Sequence, residues 1–192
     1  MKFQWKNAVV LTVVCALVGA VVALSYAKTA PLIERHAAEA AESARRGLFP
    51  EAECFEELDA DAAFPLESCC AVLQGGRLIG YTGQLTVNGS QGKIEIIAGM
   101  DTRRQIVGVS VGGSSFSETP GMGAKVRESA FTDRFRFLTL PVRLGENVDG
   151  ISGATVSSTA VAEGVNRIGE CLSALLDAGI ENTADSAAAQ TD

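Results

Sequence analysis

The chain has 192 residues, 47% of them hydrophobic, and its 23 acidic against 16 basic residues give a formal charge of −7. An acidic surface excludes nucleic acid as a partner and gains little from anionic lipid, so any attachment to a membrane must come from apolar sequence. Five cysteines, no Cys-x-x-Cys and one histidine, His36, leave a zinc or four-cysteine iron–sulfur site without a local signature; buried inert thiols are the plainer reading.

Residues 1–7 are a short basic segment carrying Lys2 and Lys6. Residues 8–27, AVVLTVVCALVGAVVALSYA, then form an uncharged run of about 20 residues, which as a helix at ~1.5 Å per residue crosses a ~30 Å hydrocarbon core. A cleaved signal peptide is the rival reading, with Ser25-Tyr26-Ala27 as small residues at a cleavable spacing, but signal h-regions run only ~7–15 residues. A lipoprotein signal at Cys15 is opposed by bulky Val14 before it. The sequence predicts a single-pass membrane helix, and basic residues on both sides leave its orientation open.

Residues 28–50 read as a helical stalk: Pro31 to Arg46, PLIERHAAEAAESARR, is rich in alanine and charge, with apolar positions too sparse for a core helix. An acidic connection follows, punctuated by Phe49-Pro50 and Phe64-Pro65. Cys70–Leu73, Leu78–Val87, Lys93–Ala98 and Ile106–Val111 read as strands separated by the turn signals Gly75-Gly76, Asn88-Gly89 and Asp101-Thr102. Short connections imply an antiparallel sheet. Gly121 to Phe135 is helical in part, and Ser157 to Ala178 places Val161, Val165, Ile168, Leu172 and Leu175 along one helical face. The expected fold class is α+β, an antiparallel sheet packed with helices over residues 51–178, followed by a disordered tail at 179–192.

The stretch DGISGATVSS, Asp149 to Ser158, sits where a turn hands over to that last helix. Free backbone N–H groups at a helix start attract anions, which suits a phosphate; equally, Ser152, Thr155 and Ser157 are residue types that cap helices. From physics alone, capping is the plainer reading.

The same stretch resembles a family motif. D-x-x-S-G-A-T, matched by Asp149, Ser152, Gly153, Ala154 and Thr155, looks like the flavinylation motif of the FMN-binding domain in G subunits of Rnf complexes and C subunits of sodium-translocating NADH:quinone reductases. The resemblance implies that Thr155 bears FMN through a phosphoester bond, made by a flavin transferase that uses FAD and magnesium. An unaided threonine hydroxyl is too weak a nucleophile for this, and Asp149 is the residue the resemblance offers to position or activate it. Ser117 to Lys125, SETPGMGAK, resembles the E-T-P-G-[LM]-G element that lies against the flavin, which adds Glu118, Thr119, Gly121, Met122 and Gly123 to the expected cofactor-binding residues. Where the family often has histidine two positions before the glutamate, this chain has Phe116. Weaker likenesses lie at Thr29 to Ile33, Gly80-Tyr81 and Gly92 to Ile94.

What the resemblance implies is a membrane-anchored electron carrier with its soluble domain outside the cytoplasm. It would relay electrons between the membrane and redox subunits of an Rnf-type complex that couples ferredoxin:NAD electron transfer to ion movement. The chain has no G-x-G-x-x-G after a strand and no cysteine cluster, so NAD and iron–sulfur sites are assigned to partners. The Rnf assignment is preferred to the quinone reductase because the chain lacks room for further segments. The alternatives are a flavoprotein serving a quinone reductase or a separate extracytoplasmic reductase, and a flavin-free scaffold using DGISGAT only as a cap.

Overall fold

The computed structural model describes residues 5–58, 66–113 and 116–188, with side chains through Ala178. Helix α1 runs from Trp5 to Leu48 and contains Pro31. Its residues are divided between two compact units, Met1–Glu39 and Ala40–Asp192. In the first unit α1 is long and apolar enough to cross a membrane, and Val9, Leu11, Leu17, Val21 and Leu24 are all exposed, as a lipid-facing helix requires.

The second unit is built on a five-stranded antiparallel sheet in sequence order: β1 (Cys54–Leu58), β2 (Ser68–Gln74), β3 (Arg77–Asn88), β4 (Lys93–Asp101) and β5 (Ile106–Gly112). The four expected strands are present with slightly wider bounds. β1 was not expected: CFEEL carries two glutamates and reads as connection, yet it pairs along its whole length with β2, from Cys54 opposite Leu73 to Leu58 opposite Cys69. Charged residues on a short edge strand protect the edge from further pairing, so its signal is the ladder rather than an apolar pattern. Gly75 and Gly76 have φ of +57° and +74° between the paired Gln74 and Arg77, the two-residue hairpin turn that requires both central residues in the left-handed region.

Alternation along β4 separates the sheet's faces. Ile94, Ile96, Ala98 and Met100 point to one side and Ile97 to the other. The first side is covered by helix α3 (Thr155–Ala188), whose Val161, Val165, Ile168 and Leu172 are at most 1% exposed. Gly164 brings α3 down onto the sheet, because a Cβ there would overlap Ile96 Cδ1. Among the described residues between β5 and α3 the helical pieces are short, a 3-10 turn at Gly123–Arg127, helix α2 (Ser129–Thr132) and a 3-10 turn at Asp133–Phe135; these place Val126, Phe131 and Phe135 in the same core.

The stalk reading needs correction at its end. Ala41 and Leu48 of α1 are buried with Phe49 against Val72 and Ile97 on the sheet's second face, so the compact unit begins at Ala40 rather than at residue 51. The Phe49 ring lies over strand glycines: a Cβ at Gly99 would stand 2.6 Å from Phe49 Cε2, and one at Gly80 would stand 3.0 Å from Phe49 Cζ. Sparse apolar positions missed this because the receiving surface is flat glycine, which two large side chains fill. The tail differs too. α3 continues through Ala188, since a lack of apolar periodicity argues against packing, not against a helix. Residues 189–192 of the expected tail, and Phe64-Pro65 of the acidic connection, lie outside the described residues.

Candidate functional site

The turn before α3 is fixed by its own backbone. Ala154 N–H donates to Ile151 O at 3.0 Å, Ser158 N–H to Ala154 O at 2.9 Å, and Gly153 has φ +80°, which a side chain would strain. The hydroxyl that ties the turn is Ser158, fully buried, whose Oγ accepts from Ile151 N–H at 3.2 Å. This corrects the capping reading: Ser152, Thr155 and Ser157 make no side-chain hydrogen bond among the described residues. Thr155 is instead the first residue of α3, exposed, with its hydroxyl free, and no acceptor among the described residues meets the N–H groups of Thr155, Val156 or Ser157. These are the orphan donors of a helix start, an electropositive end that favours an anion.

The SETPGMG loop reaches the same place. Met122 N–H and Ala124 N–H both donate to Thr119 O, at 3.2 and 3.1 Å, curling the loop into the 3-10 turn, and Gly121 takes φ +75° at its outer corner. Glu118 is buried. Its Oε1 accepts from Ser90 N–H at 2.7 Å and Gln91 N–H at 3.3 Å, clamping the loop to the β3–β4 turn. The carboxyl is enclosed by glycine on both sides, since a Cβ at Gly89 would overlap Oε1 and one at Gly123 would overlap Oε2.

Loop and helix start enclose a cavity of about 250 Å³ lined by Glu118, Thr119, Met122 and Gly123 from one side and Gly153 to Ser157 from the other, with Ser90 at the edge. Of the expected residues, Thr155, Gly153, Ala154, Glu118, Thr119, Met122 and Gly123 therefore meet in one place. Gly121 shapes the loop but does not line the cavity. Ser152 lines a neighbouring hollow of about 220 Å³ with Lys125, Glu128 and Arg134. Asp149 is exposed and is held through its backbone, where Arg134 Nη1 donates to its carbonyl at 2.8 Å. Phe116 is also outside the cavity; its ring lies 4.9 Å beneath the Arg127 guanidinium carbon. Sequence reasoning missed Ser90, Val156 and Ser157 as lining residues. Ser90 follows the Asn88-Gly89 turn signal, and only the Glu118 clamp reveals why that turn matters.

Unpartnered buried polar atoms gather at this pocket. Three buried side-chain atoms lack a hydrogen-bond partner among the described residues, and two of them, Glu118 Oε2 and Ser157 Oγ, belong to residues lining this cavity. Buried polar atoms left unpaired cost about 1–3 kcal/mol each, so their concentration here fits a ligand that supplies the partners. The thiols are elsewhere: Cys69, Cys70 and Cys171 are buried, and Cys15 and Cys54 are exposed. Burial, reinforced by Cys70 and Cys171 and opposed by Arg45, pushes the Cys69 thiol up to about 12, which keeps it protonated and unreactive.

Comparison with known proteins agrees with this geometry. The FMN-binding domain family matches residues 89–170, from the β3–β4 turn through the first half of α3. The G subunit of the ion-translocating oxidoreductase complex of Methanosarcina acetivorans is 32% identical over 181 residues, covering 88% of this chain and 94% of that protein. The corresponding G subunit of the sodium-translocating ferredoxin:NAD(+) oxidoreductase complex of Acetobacterium woodii is 29% identical, covering 86% and 89%. Its proton-translocating counterpart from Clostridium ljungdahlii is 25% identical, covering 81% and 84%. With its FMN-binding domain and a relationship that runs nearly end to end, the chain belongs to the family of G subunits of ion-translocating oxidoreductase complexes, the Rnf complexes.

Proposed function

We propose that the chain is the flavin-bearing electron relay of an Rnf-type complex and that Thr155 carries FMN covalently through a phosphoester. The observation that carries this is the position of Thr155: a free, exposed hydroxyl on the first turn of α3, beside orphan N–H groups and on the wall of a cavity with unpartnered polar atoms. Attachment forms the bond from Thr155 Oγ1 to the FMN phosphorus and breaks the pyrophosphate bond of FAD; AMP leaves and the hydroxyl proton is released. A flavin transferase performs this step, with Asp149 and Ser152 exposed on the approach for it to recognise. The helix start offsets the charge of the attached phosphate.

The residues fit the group. Met122 and the Gly123 and Gly153 backbones leave room for a planar ring, and Glu118 and Ser157 offer hydrogen bonds. Once attached, the flavin supplies stepwise electron transfer between neighbouring redox subunits. The protein anchors it at the membrane through α1, excludes water from one side, and prevents its loss outside the cytoplasm. The relatives' names differ in coupling ion, proton in one and sodium in the other, so membership of the family does not select the ion.

The test is intact mass after denaturation of full-length protein coexpressed with a flavin transferase. The expected gain is FMN less water on the peptide containing Thr155, absent in Thr155→Val; flavin retained by denatured Thr155→Val, or an unmodified wild type, overturns the attachment. Topology has its own reporter in the exposed Cys54. A membrane-impermeant maleimide should label it in intact cells whose outer barrier has been opened, and labelling only after lysis would place the domain in the cytoplasm.

A further inference from the structure

Ser157 enters the sequence reading only as a cap, and the structure gives that task to Ser158. Ser157 is 0% exposed, two residues past Thr155, with its Oγ unpartnered; Glu118 Oε2, on the facing loop, is likewise buried and unpartnered. Both crowd one point, because a Cβ built on Gly123 would overlap Glu118 Oε2 and lie 3.3 Å from Ser157 Oγ. Glycine at 123 is what leaves that point open. A hydroxyl donor and a carboxylate acceptor meeting there would both be satisfied by a group that accepts and donates at once, as an alcohol hydroxyl on a ligand does.

We infer that Ser157 and Glu118 form a paired site for a hydroxyl of the polyol chain that joins phosphate to ring in the bound flavin. This rests on the attachment at Thr155 proposed above. A hydroxyl close to the phosphate is the part of the ligand nearest Ser157 when the phosphate is on Thr155. The pair fixes the path of the chain into the cavity, while Glu118 Oε1 keeps its separate duty to Ser90 and Gln91.

An orphan buried hydroxyl and a ligand-bound one respond oppositely to removal, which supplies the test. Thermal unfolding is measured on full-length protein in detergent, with and without attached flavin, for wild type, Ser157→Ala and Glu118→Gln. Thr82→Val is the control, because Thr82 Oγ1 is the third unpartnered buried atom and does not line the cavity. Ser157→Ala should leave the flavin-free midpoint unchanged or raised, and should narrow the gap between flavinylated and flavin-free protein by about 2–4 °C. Glu118→Gln, which puts a donor where an acceptor stood, should narrow the gap as well. Thr82→Val should not change it. Flavin present by mass with the gap intact in Ser157→Ala and Glu118→Gln overturns the paired site alone, whereas absence of flavin from wild type overturns the attachment on which it rests. A synthetic FAD with an alkyl chain in place of the polyol separates the chain from the ring: the Ser157→Ala effect should vanish with it, and its persistence would move the contact to the ring.

Discussion

The two faces of the sheet handle polar atoms in opposite ways. On the face that receives the end of α1, Arg45 Nη2 donates to Ser68 Oγ at 2.6 Å and to Gln84 Oε1 at 3.2 Å, and Ser68 also donates to Gln84. Around Thr155, on the α3 side, a carboxylate oxygen and a hydroxyl are buried and left open. The first face is finished by the chain itself but for Thr82 Oγ1, a lone atom away from the cavity at Thr155. The second gathers two unpartnered atoms at one cavity, to be finished by something added, which is what separates a docking of secondary structure from a ligand site. A mutation on the first should therefore cost stability and spare the flavin, and a mutation on the second should do the reverse.

Phe49→Ala gives the largest expected effect of the first kind. The ring is 6% exposed and sits over Gly80 and Gly99, which have no side chains to collapse into the hole, so the loss should be near the usual ~3–5 kcal/mol for a buried phenylalanine. Denaturant midpoints check it, and mass on the folded fraction should show flavin still attached. Thr155→Val is the mirror image: all covalent flavin lost, with the flavin-free stability moved by no more than ~0.5 kcal/mol because the side chain is exposed and unbonded. If Phe49→Ala also abolished attachment in folded protein, the two faces would not be independent.

That division also explains how much could be read in advance. β2 to β5 and the buried stripe on α3 follow from period-two and three-to-four spacing, because those positions pack against other side chains. β1 and the seat of Leu48 and Phe49 were hidden, one by its charges and the other because strand glycines look like weakness until a ring covers them. The site divided similarly. Its motifs name Thr155 and Glu118, but a motif does not record burial, so the open hydroxyl of Ser157 and the role of Ser90 are visible only in three dimensions.

A smaller effect comes from the thiols under the sheet. The folded-state value for Cys69, raised to about 12 by burial and then by Cys70 and Cys171, stands above the 9.0 of a free thiol. A group whose value is raised on folding lends stability that is complete below the unfolded value and is lost as pH climbs toward the folded one. Burial raises Cys70, Cys171 and Tyr81 in the same direction. Denaturant midpoints should thus be flat near neutrality and fall between about pH 9 and 12, and Cys69→Ala should shrink that fall. A fall already complete by about pH 8 would contradict the burial of these groups.

The smallest effect expected is at Phe116, and it tests the boundary of the site from outside. The family resemblance puts a histidine near the flavin at this position, whereas here the ring packs against the core and carries the Arg127 guanidinium on its face. Phe116→His should cost only the cation–π contact and some apolar packing, of the order of 0.5–1 kcal/mol, and should leave flavin absorbance and potential at wild-type values. Glu118→Gln, two residues along, should move both, because Glu118 lines the cavity and Phe116 does not. Equal spectral shifts in the two variants would mean that Phe116 turns into the cavity when flavin is attached. Attachment would then rebuild the loop, and the open point at Gly123 would be a feature of the flavin-free protein alone.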